Sequence, residues 1–111
     1  NYSEFFFDFD SYEIDDTQRI NITNLSKILM KYEYIKINID GHASSEGESD
    51  YNMLLSNRRS INIKNSLIQD GINDSRLDVK AFGEELPSYA NMPLSERKKN
   101  RRVIISVDMD L

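Results

Sequence analysis

Apolar and polar residues alternate in four stretches of the chain and recur at helical spacing in two. In EFFFDFD (4–10), Phe5, Phe7 and Phe9 alternate with Phe6, Asp8 and Asp10. A period of two with aromatic content predicts a strand. Asp15 with Gln18 three residues later has capping-box spacing and marks a helix start. Ile22, Leu25, Leu29 and Tyr32 then recur every three or four residues, predicting an amphipathic helix to about Lys31. YIKINIDG (34–41) sets Ile35, Ile37 and Ile39 against Lys36, Asn38 and Asp40, a second strand ending at Gly41. Helical spacing returns from about Ser49 to Asp70, with Gly71 as a left-handed stop. Leu77, Val79 and Ala81 alternate in 76–82, and Val103, Ile105 and Val107 in the closing RVIISVD. Between those last strands, EELPSYANMPLSERKKN is predicted to be a loop with a helical turn near Ser95.

Strands with one apolar face and two amphipathic helices predict an α+β fold, a two-layer βαβαββ sandwich. Its mixed four-stranded sheet carries the two main helices on one face. The helical crossovers are expected to be right-handed. A length of 111 residues suits a single domain over 1–111. Asn1 is not a natural start, so this domain is expected to belong to a longer protein, as its C-terminal part. With 39% hydrophobic and 30% charged residues the composition is that of an ordinary globular domain. No apolar run approaches the roughly 20 residues of a membrane-spanning helix. A net charge of −5 argues against a general nucleic-acid binder, which must neutralise phosphates. The run ERKKNRR (96–102) reads as solvated charge balanced by nearby acids. The absence of cysteine removes disulfides, thiolate metal sites and cysteine nucleophiles.

The second helix carries the candidate chemistry. At 100° per residue, Asn52, Ser56, Arg59 and Ile63 fall within a sector of about 60°. The stripe is polar in its first half and apolar in its second, at Ile63 and Leu67. An arginine there requires an internal partner or an opening onto water. Its planar fork suits a carboxylate, and the helix N-terminus, one to two turns away, favours an anion at the same place. Asp8 and Asp10 are the internal candidates for that partner. His42, the only histidine, would need several converging carboxylates to hold zinc, so a loop-organising hydrogen bond is its expected role. Gly41 and Gly47 bracket a tight loop, which suits a backbone approaching a ligand or an ordinary strand-to-helix turn. Ser44 and Ser45 lie near His42 but in no strained elbow and with no acid placed to orient the histidine, so catalysis is not expected. SSEGESD lacks the lysine and glycine spacing of a phosphate loop, and no metal or cofactor is expected.

The segments FFFDFDSYEI, IDGHASSEG, YNMLLSNRRS, GINDSRLDVKAFGEELP and NRRVIISV occur in that order. Together they make the chain resemble, from about Phe5 to Val107, the OmpA C-terminal-like domain of outer-membrane proteins, peptidoglycan-associated lipoproteins and flagellar-motor stator proteins. The resemblance implies a βαβαββ domain in the periplasm of a Gram-negative envelope, associated with the outer membrane through its parent protein. It also implies non-catalytic binding of the peptidoglycan stem peptide, chiefly its diaminopimelate residue, which tethers an envelope protein to the cell wall. Gly41, His42, Gly47, Asn52, Leu55, Ser56 and Arg59 match the family motif. In that motif an aspartate grips the ligand's ammonium and the arginine its carboxylate. Here the arginine is present, but the aspartate position is Ser44 and the preceding threonine position is Ala43.

The ligand set so implied is Arg59, Asn52, Ser44 and Ser56, with Asp8, Asp10, Glu46 and Asp50 as acids near the same rim that can replace the lost charge. Asn100, Arg101 and Arg102 match the Asn-Arg-Arg before the family's last strand, which implies a supporting role for Arg101 beside His42. Exchanging the carboxylate for a hydroxyl lowers affinity by on the order of 1–3 kcal/mol unless another acid compensates. Two other readings stay open: a variant stem peptide, or an assembly module that contacts other envelope proteins through the same fold.

Overall fold

The first helix begins where its cap dictates. In the computed structural model, which describes residues 2–6, 12–42, 49–83 and 102–107, the Asp15 carboxylate accepts from the Gln18 backbone N–H at 2.7 Å. The Gln18 side chain in turn accepts from the Asp15 N–H at 2.9 Å. Two donors that a helix start leaves open are thereby satisfied. Helix α1 follows as Asp16–Lys31, burying Ile22 and Leu29 and partly burying Leu25. Tyr32 departs from the predicted stripe. It is the C-cap, with φ −112° and ψ 79°, so its side chain leaves the helical period and stays half exposed.

Helix α2 spans Ser49–Gln69 and ends as its glycine predicts. Gly71 has φ +103°. Its N–H donates to the Ile68 carbonyl at 2.9 Å, and the Ile72 N–H donates to the Leu67 carbonyl at 3.1 Å. This paired closure consumes two terminal carbonyls, and the buried Ile72 seals it against the core.

The strands are β1 (Tyr2–Phe6), β2 (Ile37–His42), β3 (Leu77–Gly83) and β4 (Arg102–Val107). They lie in the order β1-β4-β2-β3. β2 and β3 are parallel, and β4 runs antiparallel to both β1 and β2. The last strand in sequence therefore slots between the first two, which gives the mixed sheet expected from the loop connection. Strand limits differ from the periodicity where pairing decides them. β1 starts at Tyr2 because the ladder to β4 runs from Tyr2 opposite Ser106 to Phe6 opposite Arg102; residues 7–10 lie outside the described residues. β2 starts at Ile37 because Ile35 is held in the preceding turn by the Tyr32 carbonyl, and it continues one residue past Gly41. The predicted loop with its turn near Ser95 also lies outside the described residues.

Phe5, Ile37, Ile39, Val103 and Ile105 of the sheet meet Ile22 and Leu29 of α1 and Ile63 and Leu67 of α2 in one core. Arg76, just before β3, locks the end of α1 to the start of β2. Its Nη2 donates to the Leu29 and Tyr32 carbonyls, each at 2.8 Å, and its Nε to the Ile35 carbonyl at 3.0 Å. A cation on the last carbonyls of a helix is favoured by both hydrogen bonding and the helix field. Val107, the last residue of β4, pairs with Ile37 yet is 37% exposed, so the predicted inward face of this strand is buried at Val103 and Ile105 only.

Candidate functional site

The inward face of α2 changes character along its length, as the spacing predicts. Asn52, Ser56, Arg59 and Ser60 are buried in its first half, and Ile63 and Leu67 in its second. Periodicity leaves Arg59 two fates, internal pairing or an opening to solvent. Arg59 is 0% exposed, and its Nη1 donates to the His42 carbonyl at 3.1 Å. A covered guanidinium loses several kcal/mol of hydration, on the order of that for any buried ion, and that loss has to be met by acceptors such as this carbonyl. His42 ends β2, and the pairing of β2 with β3 slips by one residue there, so that His42 lies opposite Gly83. Such a slip disrupts the ladder locally and re-aims backbone groups. It occurs at the residue whose carbonyl receives Arg59.

Gly41 makes this contact possible. A side-chain carbon on Gly41 would overlap the Ser56 carbonyl and the Ser60 hydroxyl of α2. The close approach served by this glycine is therefore to the helix. Ser60 also donates to the Lys80 carbonyl of β3 at 3.3 Å, and Ser56 to the Met53 carbonyl at 2.9 Å. Small side chains thus seat the first half of α2 on the ends of β2 and β3.

Asn52 lies one turn before Ser56 on the same face and is 3% exposed. Its Nδ2 is buried with no hydrogen-bond partner among the described residues. Native structures rarely leave such a donor unused. The structure thus gathers His42, Asn52, Ser56 and Arg59 at one end of the domain. Asp50 lies in the first turn of α2, and only its backbone is described. Asp8, Asp10, Ser44, Glu46 and Arg101 lie outside the described residues, as do Gly47 and Ser45.

Ser60 is engaged here although the motif reading did not single it out. Two further polar residues are buried or half-buried nearby on the strands. Arg102, part of the matched Asn-Arg-Arg, is buried on β4 at the position opposite Phe6. The alternation of RVIISVD, with Val103 and Ile105 inward, signals that Arg102 points to the other face. Asp40 is the second. Its Oδ1 is buried without a hydrogen-bond partner among the described residues. Burial raises its pKa from the ordinary aspartate value, Lys80 opposes that shift, and Asp78 adds to it. The folded chain therefore binds more protons at Asp40 than the unfolded chain over the interval just above the ordinary aspartate pKa. Stability from this group falls as pH rises through that interval. Asp40→Asn is expected to flatten this part of the stability profile and to raise stability at neutral pH. Urea unfolding at steps between about pH 4 and 7 measures both effects.

Among the described residues no cluster of His, Asp and Glu is suited to hold a metal ion. No described helix is long and apolar enough to cross a membrane.

The chain belongs to the OmpA family, which it matches over residues 6–101. It is 33% identical over 102 residues to outer membrane porin F of Pseudomonas fluorescens, covering 92% of this chain and 31% of that protein. It is 29% identical over 102 residues to the peptidoglycan-associated lipoprotein of Mesorhizobium japonicum, covering 92% and 61%. The chain thus spans less than two thirds of these relatives. The crystal structure of the peptidoglycan-associated lipoprotein from Burkholderia pseudomallei is similar in fold, with a TM-score of 0.90 at 25% identity over 95% of this chain and 89% of that one. The C-terminal domain of Helicobacter pylori MotB gives a TM-score of 0.87 at 27% identity, over 97% and 85%.

Proposed function

We propose that this domain binds the peptide stem of peptidoglycan, with diaminopimelate as the recognised residue, and so tethers a larger envelope protein to the cell wall on the periplasmic side of the outer membrane. The role is binding without catalysis. The observation that carries this reading is the buried Asn52 amide, whose Nδ2 has no hydrogen-bond partner among the described residues, on the same helix face as Arg59. An unmatched buried donor costs about 1–3 kcal/mol, which a ligand oxygen recovers on binding. The family membership and the peptidoglycan-associated lipoproteins among the relatives support the same ligand. Arg59 then receives the ligand carboxylate, and because it is fully covered, the ligand must displace part of that cover. Ser44, with Asp8, Asp10, Glu46 or Asp50 supplying charge, faces the ammonium in this reading; Ser56 lines the floor, and His42 and Arg101 support the loop.

Retention on insoluble peptidoglycan tests the proposal, with a diaminopimelate-containing stem peptide titrated into the isotope-labelled domain. Asn52→Leu is the informative variant. Replacing an unmatched buried amide by an apolar group of similar shape is expected to leave unfolding stability unchanged or slightly higher. It should weaken the peptide by about tenfold. Equal affinity of both proteins would remove Asn52 from the site, and no retention of the native domain would remove the ligand.

The second reading, an assembly module that contacts other envelope proteins, is favoured by one observation: serine stands at position 44 in place of the family's aspartate. Absence of shifts at Asn52 and Arg59 with millimolar stem peptide would select it.

A further inference from the structure

We propose that the outer face of the helix layer is a docking surface for an acidic, amphipathic helix of another protein. This is independent of the peptidoglycan reading. The inward face of α2 is already filled by Asn52, Leu55, Ser56, Arg59, Ile63 and Leu67. A line of apolar residues runs along its outward face and stays exposed. Leu54, Ile61 and Ile68 stand seven residues apart and are 45%, 38% and 39% exposed. Tyr51, Arg58 and Asn65, each three residues earlier, are exposed as well. The apolar line is thus one residue wide per heptad, Leu54, Ile61 and Ile68, and the positions beside it are Tyr51, a cation at Arg58 and an amide at Asn65. Its period of about 10 Å along the axis accepts side chains of a second helix packed lengthwise.

Helix α1 widens the surface. The Ser26 hydroxyl donates to the Asp70 carboxylate at 2.7 Å, and the Met30 methyl lies against Gly71, so the two helices sit side by side. Ile20 on α1 is 62% exposed.

Charge selects the occupant. The chain carries a net −5, yet Arg19, Lys27, Lys31 and Arg58 are exposed on these two helices. Arg58 is oriented beside the seam by Tyr12, whose ring centroid lies 5.2 Å from the guanidinium and whose hydroxyl accepts from Nη1 at 3.4 Å. An acidic helix meets these cations favourably. A second copy docked seam to seam would bring the same cations together. A lipid surface fits less well, because Thr23, Asn24 and Asn65 are exposed between the aliphatic positions and break any continuous apolar face.

The test uses a synthetic peptide of 21 residues, the length of α2. It carries leucine at heptad a and d and glutamate at e and g, and a counterpart carries lysine at e and g. Each is titrated into the labelled full chain. The acidic peptide is expected to saturate, with shifts at Leu54, Ile61 and Ile68 and at Lys27, and to bind at least about tenfold tighter than the lysine peptide at low salt. Ile61→Glu changes an exposed position and is expected to keep the native unfolding curve while weakening the acidic peptide by about tenfold or more. Equal binding of both peptides, shifts confined to the region of His42 and Asn52, or no saturation would overturn the proposal. So would co-sedimentation with phosphatidylglycerol vesicles, or a dimer abolished by Ile61→Glu, since either assigns the seam to a different occupant. Retention on peptidoglycan is read separately, so failure of the peptide leaves that function standing or falling on its own result.

Discussion

Gly41→Ala is expected to lower the free energy of unfolding by about 3 kcal/mol or more, at or beyond the upper end for an overpacked core position. The new methyl would sit inside contact distance of the Ser56 carbonyl and the Ser60 hydroxyl. The Ser60 side chain can rotate, but the Ser56 carbonyl belongs to the backbone of α2, so relief requires the helix and β2 to separate. Separation would also pull the His42 carbonyl from Arg59 and loosen the Ser60 bond to Lys80. For a small domain with about 5–15 kcal/mol of stability, such a loss is a large share. Gly71→Ala is the control. Its φ of +103° makes a side chain strained, but the nearest atom to an added methyl is the Met30 methyl at 3.6 Å. Its expected cost is about 1–2 kcal/mol, from backbone conformation alone. Urea unfolding of the two variants separates overlap from strain. Equal small losses would mean that α2 can retreat from β2 freely, and the close seat would then lose its role in placing Arg59.

The features legible in the sequence are those set by neighbours a few residues away. The Asp15–Gln18 cap and the Gly71 stop are local, and both helix limits followed from them. The polar-to-apolar change along α2 follows from 100° spacing and needs no tertiary knowledge. Strand limits and strand order were less legible, because they depend on partners far along the chain. Nothing between Arg102 and Val107 indicates that this last strand lies between β1 and β2, and nothing in EFFFDFD fixes its pairing from Tyr2. At the site, Arg59 could be recognised as a cation needing compensation. The acceptor on β2 could not, because His42 offers a backbone carbonyl, a group that every residue carries. Gly41 was ambiguous for a related reason: a turn and a tight helix contact both favour glycine, and only the placement of Ser56 and Ser60 decides between them.

Substitutions at Arg59 are expected to affect folding and binding in different orders, and the difference tests what this cation does. Arg59→Ala removes a fully buried side chain, leaves a void, and strips the His42 carbonyl of a charged donor. A loss of about 3–5 kcal/mol of stability is expected, as for other truncations that break a buried ionic contact. Arg59→Met keeps most of the volume and also relieves the desolvation of the charge, so its loss should be smaller than that of alanine, of which the unmatched His42 carbonyl accounts for about 1–3 kcal/mol. Arg59→Lys keeps the charge but has no planar fork and a more strongly hydrated head, so its stability should fall near that of the methionine variant. The order of stability is then native, followed by methionine and lysine together, then alanine. Affinity for a diaminopimelate-containing stem peptide should follow charge instead. Lysine is expected to lose about tenfold, and methionine and alanine about a hundredfold or more, because neither offers a cation to the ligand carboxylate. Urea unfolding ranks the first series. Titration of the folded variants, at temperatures where each remains native, ranks the second. If affinity instead follows stability, with methionine binding as well as lysine, Arg59 acts only by holding β2 to α2. The ligand carboxylate would then have to be recognised elsewhere, with Asn52 as a buried donor on that face that has no partner among the described residues.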